Sequence, residues 1–126
     1  MIESNISSLD PPYNSTISLG TNNLEIVYNT AVSLSVGNVS IYQVNGGDVI
    51  MRQSISGLYI GEFYSISPDF NKISIKVLSS SFNQPNKEYF VWIKTNFVKQ
   101  NDINEPMDGL QALGWRLITG NYYFYN

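Results

Sequence analysis

Val39-Ser40-Ile41-Tyr42-Gln43-Val44-Asn45-Gly46-Gly47-Asp48-Val49-Ile50-Met51-Arg52-Gln53-Ser54 carries the clearest structural signal in the chain. Two β-prone runs flank a pair of glycines bracketed by Asn45 and Asp48. Glycine readily takes the positive φ that tight hairpin turns demand, so the spacing predicts a hairpin. Its strands run from about Val39 to Val44 and from about Val49 to Ser54. In the first, Val39 and Ile41 alternate with Ser40 and Tyr42, the period of a strand with one buried face.

The same alternation recurs on both sides. Leu24, Ile26 and Tyr28 alternate with Glu25 and Val27, and Ile73, Ile75 and Val77 with Ser74 and Lys76. Breaks fall at Asp10-Pro11-Pro12, Gly20-Thr21-Asn22-Asn23, Ser67-Pro68-Asp69, Gln84-Pro85-Asn86 and Asn104-Glu105-Pro106. About seven strands fit between them, and no segment sustains a helical period. Asp108-Gly109-Leu110-Gln111-Ala112-Leu113 has room for one helical turn at most. The reading is an all-β, antiparallel sandwich occupying 1–120. The aromatic run from 121 to 126 then forms a tail or the start of a linker.

Composition narrows the function. The 126 residues are 43% apolar and only 13% charged, enough to build one core and far from the signature of disorder. A net charge of -3, with seven basic residues scattered singly, provides no positive stripe to follow a phosphate backbone, which argues against nucleic acid as a partner. No apolar run reaches the length of a bilayer span, and the N-terminus has no leader-like pattern. The expectation is a soluble segment with no membrane insertion of its own, any leader or anchor lying outside it. Cysteine and histidine are both absent. That removes disulfides, thiolate nucleophiles, the commonest general base and the commonest transition-metal ligand.

Four further segments follow one another in a familiar order. Leu9-Asp10-Pro11-Pro12 forms a proline turn, and Leu24-Glu25-Ile26-Val27-Tyr28-Asn29-Thr30-Ala31-Val32 an alternating strand with an aromatic, a polar stretch and a valine. Then come Phe97-Val98-Lys99-Gln100-Asn101-Asp102-Ile103-Asn104-Glu105-Pro106-Met107 and a closing Trp115-Arg116-Leu117-Ile118-Thr119. From Ser8 to Thr119 this order resembles the bacterial Ig-like domain 5 group, S-layer-type modules of surface proteins. The chain has Asn29-Thr30-Ala31 where the group usually has Ser-Glu-Pro. The resemblance implies an immunoglobulin-like sandwich in a secreted or cell-surface protein, with neighbouring domains, other surface proteins or glycans as partners. Phe82-Asn83-Gln84-Pro85-Asn86-Lys87-Glu88-Tyr89 is similar to the stretch before the penultimate strands of immunoglobulin and fibronectin-like sandwiches. That likeness would make Tyr89 a tyrosine-corner residue, its hydroxyl returning to upstream backbone.

Several residues are candidates for a site. Asp102, Asn104 and Asp108 gather oxygen donors that Ca²⁺ could use, though without a defined calcium-loop spacing. The plainer account is a solvated loop whose Asn and Asp satisfy local backbone. Asp69, Asp102, Glu105 and Asp108 could in principle supply paired carboxylates, but all fall in expected loops where nothing raises a pKa, so no enzyme is expected and no cofactor beyond that Ca²⁺. If Tyr89, Val91 and Ile93 face the core, Phe90 and Trp92 face outward. Together with Tyr122 and Tyr123 they could form a stacking platform for sugar or a contact surface, unless neighbouring strands or the tail cover them. Asn5, Asn14 and Asn38 stand in N-x-Ser/Thr sequons, permitted glycosylation sites in a eukaryotic secretory host. The expected role is a non-catalytic spacer, adhesion or protein-interaction module. A carbohydrate-binding module and a domain that dimerises through an edge strand are the alternatives.

Overall fold

The computed structural model describes residues 5–58, 62–110 and 114–120. Eleven strands lie among them: β1 (Ile6–Asp10), β2 (Ser15–Ile17), β3 (Asn23–Tyr28), β4 (Val32–Leu34), β5 (Asn38–Asn45), β6 (Asp48–Ser56), β7 (Tyr64–Ile66), β8 (Lys72–Lys76), β9 (Glu88–Ile93), β10 (Val98–Gln100) and β11 (Arg116–Thr119). The excess over the expected seven or so comes from β2, β4, β7 and β10. Each is three residues long, too short for alternation to announce it.

The strands form a four-stranded sheet in the order β1-β3-β8-β7, a five-stranded sheet in the order β2-β11-β9-β5-β6, and a small β10-β4 pair. Every pairing is antiparallel except β2 with β11, which is parallel. The expected hairpin is present: β5 and β6 pair from Asn45↔Asp48 outward. Gly46 takes φ +66° while Gly47 is not left-handed, the pattern of a type II′ turn.

The two larger sheets enclose one core. Leu24, Ile26, Ile73 and Ile75 enter it from one side, and Ile41, Tyr89, Val91, Ile93 and Leu117 from the other. Aromatic rings fill its ends, with Phe82 meeting Tyr89 edge-on at 5.0 Å and Tyr64 tilted against Phe97 at 5.5 Å. Trp115 is fully buried and its indole N–H donates to the Pro11 carbonyl at 2.9 Å.

Polar groups join the sheets along one rim. Gln53 of β6 donates to the Lys76 carbonyl, while its side-chain oxygen accepts from the Leu78 N–H and the Ser81 hydroxyl. The Tyr64 hydroxyl donates to the Ile55 carbonyl at 2.9 Å. These bonds hold the second half of β6 against β7, β8 and the chain that follows. Arg52, at the middle of β6, reaches the Ser80 carbonyl and Asn83, while Asp48–Met51, toward the turn, are exposed.

Asp108, Gly109 and Leu110 are not helical. Leu110 bridges Ile93 through two backbone bonds, and a Cβ on Gly109 would lie 1.7 Å from the Ile93 carbonyl oxygen. This approach of backbone to backbone is what the glycine permits. The rest of the expected helical turn, 111–113, lies outside the described residues, as does the tail from 121 to 126. No helix among the described residues is long and apolar enough to cross a membrane.

Gln53→Leu takes away the acceptor of the Leu78 N–H and of the buried Ser81 hydroxyl. Chemical denaturation should show a loss of about 1–3 kcal/mol. Burial also raises the pKa of Tyr28, Tyr64 and Tyr89 above the ordinary 10.0, partly offset at Tyr89 by its backbone hydrogen bond and by Arg52. The unfolded chain ionises at the ordinary value and so loses protons first. Stability should therefore hold through neutral pH and fall once pH exceeds about 10, seen by denaturant melts alongside tyrosinate absorbance.

Candidate functional site

β9 alternates as its sequence requires. Tyr89, Val91 and Ile93 are buried, while Phe90 and Trp92 are half-buried on the outer face of the five-stranded sheet. Pairing with β5 sets Tyr42 opposite Phe90 and Ser40 opposite Trp92. The Tyr42 and Phe90 rings stack at 5.3 Å with 28° between their planes, and Tyr42 meets Trp92 at 6.3 Å and 47°. Across the hairpin Met51 lies opposite Tyr42 and is 54% exposed. A continuous apolar strip thus crosses three strands.

Charge frames the strip. The Lys94 ammonium sits 4.2 Å from the Trp92 ring centroid, a cation–π contact. Arg116, opposite Phe90 on β11, holds the Glu88 carboxylate at 2.6 Å and donates to the Asn14 side chain. Under the strip the Ser40 and Ser54 hydroxyls bond at 2.8 Å. The other sheet carries a polar groove of about 180 Å³ lined by Asn23, Glu62, Tyr64, Ser74 and Lys76, among others.

The remaining sequence candidates fall elsewhere. Asp102, Asn104 and Asp108 are exposed on a hairpin that returns from β10 through the Lys99↔Pro106 bridge. Asp102 lies in the loop, Asp108 beyond the bridge. Asn104 takes φ +57° and its N–H bonds the Gln100 carbonyl, while Asn101 accepts from the Ser33 hydroxyl. The Asn104 backbone and the Asn101 side chain thus serve the turn. Among the described residues no group of three or more His, Cys, Asp or Glu could hold a metal ion. Asp69 and Glu105 are exposed as well.

The Tyr89 hydroxyl accepts from the Gln84 N–H at 3.2 Å, five residues upstream. Of the sequon asparagines, Asn14 and Asn38 are exposed and Asn5 is half-buried. Asn14 is bonded by Arg116 and Asn38 reaches Ser54. Tyr122 and Tyr123 lie outside the described residues.

Tyr42, Met51 and Lys94 complete the surface that Phe90 and Trp92 begin, and sequence reasoning did not single them out. The hairpin register aligns Tyr42 with Met51. Placing β5 beside β9 is a long-range pairing with no local signal.

No family model and no curated protein matches the chain. Among solved structures, CopC from Methylosinus trichosporium OB3b is similar in fold, with a TM-score of 0.63 over 98% of this chain and 100% of that one, at 8% sequence identity.

The two tryptophans should separate cleanly. Trp115→Ala empties the core and should cost about 3–5 kcal/mol, whereas Trp92→Ala, on the half-exposed face, should cost markedly less in parallel denaturation curves.

Proposed function

We propose that this chain is a non-catalytic, immunoglobulin-like module of the bacterial Ig-like domain 5 kind, part of a larger secreted or cell-surface protein, and that it works by contact with other proteins. The observation that carries this reading is the strip of Tyr42, Phe90, Trp92 and Met51 on the outer face of the five-stranded sheet. Aromatic and methionine side chains framed by charge are the composition of a protein contact. The absence of histidine and cysteine, and the exposure of the loop carboxylates, support a role without catalysis.

Ring geometry favours protein over sugar. Stacking a pyranose requires open ring faces, yet Tyr42 and Phe90 turn their faces to each other and Lys94 covers one face of Trp92. An edge-on apolar surface of this kind suits interdigitation with side chains.

The test has two arms. Oxidative footprinting of the module within its parent protein, compared with the isolated module, should show Tyr42, Phe90 and Trp92 protected in the parent setting. Equal labelling would overturn the contact surface. A glycan array with and without Ca²⁺ should stay silent. Specific binding that disappears in Trp92→Ala would replace this reading with a carbohydrate-binding one.

A further inference from the structure

Edge strands are normally short, charged or interrupted, because their free backbone groups invite another strand. β2 and β7, at other sheet edges, are three residues long. β6 is nine residues long and is also an edge. Its first half is unprotected: Asp48, Val49, Ile50 and Met51 are all exposed, three of them apolar in succession. Ile50 points to the core side yet is 39% exposed, so the hairpin extends past the cover of the opposite sheet. The bulge that disturbs β6 comes only after Met51.

Hydrogen-bond alternation fixes which groups are free. The turn makes Asn45 and Asp48 a bonded pair, so Val44↔Val49 is unbonded, Gln43↔Ile50 bonded and Tyr42↔Met51 unbonded. Val49 and Met51 therefore aim their N–H and C=O groups away from β5, along the open edge.

We propose that this edge is the seam of a homodimer, in which Asp48–Arg52 pairs antiparallel with the same stretch of a second copy about a two-fold axis through Ile50. The proposal rests on the reading of the module as a protein-contact domain and names the partner. In this register Val49 faces Met51 of the copy and Met51 faces its Val49, so the residues with free backbone groups meet each other in two bonded pairs. Asp48 falls opposite Arg52 of the copy, twice. Arg52 already holds Gln43, Ser80 and Asn83 through its two terminal nitrogens, which leaves its Nε hydrogen for that carboxylate. Val49 and Met51 would also continue the aromatic strip across the seam into one ten-stranded sheet. An isologous contact demands this self-complementarity.

Sedimentation velocity on the whole chain over a wide concentration range should show a reversible dimer. Ile50→Lys sets two ammonium groups against each other at the axis, and dimerisation should weaken by about tenfold or more with an unchanged circular dichroism spectrum. Met51→Pro removes only an outward N–H, so it should also give a folded monomer. A chain that stays monomeric at every concentration overturns the seam, as does a dimer that Ile50→Lys leaves intact. A dimer lost in Trp92→Ala but kept in Ile50→Lys would overturn the seam while leaving the outer face as the contact.

Discussion

Side chains on a strand alternate with a period of two, so a single fixed point decides the facing of every residue that follows. In this protein the Asn45–Asp48 turn is that point. Closed by two glycines, it sets β5 against β6 in one register, and β5 then sets β9 through Ile41↔Val91 and Tyr42↔Phe90. A one-residue slip would carry Ile41, Val91 and Ile93 to solvent and bring Tyr42 and Trp92 inside. Core and surface strip are thus two faces of the same constraint, and neither can be altered in register without losing the other.

Much of this was legible in the sequence where alternation is long enough to read. β3, β5, β8 and β9 all bury the residues their patterns assign to the core, and the glycine pair marked its hairpin. Four three-residue strands escaped because a strand that short has no pattern of its own and exists only through its neighbours. In the Asp108–Leu113 segment, where one helical turn at most was expected, the described residues 108–110 follow the backbone bonds from Leu110 to Ile93 and not a helix. The surface site was half legible: parity exposed Phe90 and Trp92, whereas Tyr42 reaches them only through a pairing between segments some fifty residues apart. Asp102, Asn104 and Asp108, read as cation ligands, are exposed around the β10 turn, and no group of three or more His, Cys, Asp or Glu among the described residues could hold a metal ion.

The rim bonds of Gln53 and Tyr64 give β6 two unlike halves. Where it is tied across the sandwich its polar groups are satisfied internally. Toward the turn it runs free of the second sheet, and apolar side chains stand on both of its faces. A strand built only for stability would bring both halves under cover.

The parallel pairing of β2 with β11, and the Trp115 indole bonded to Pro11 at a sequence separation of 104, bear on how the chain emerges from the ribosome. β2 has no neighbour in its sheet until β11, about a hundred residues further on, has been made, and Pro11 waits as long for its donor. The β5–β6 hairpin, by contrast, can close as soon as its residues clear the tunnel. Local contacts form early and distant ones late, so the hairpin with its uncovered apolar edge stands exposed while the chain from β7 to β11 is made. The closing strand acts as a latch thrown last.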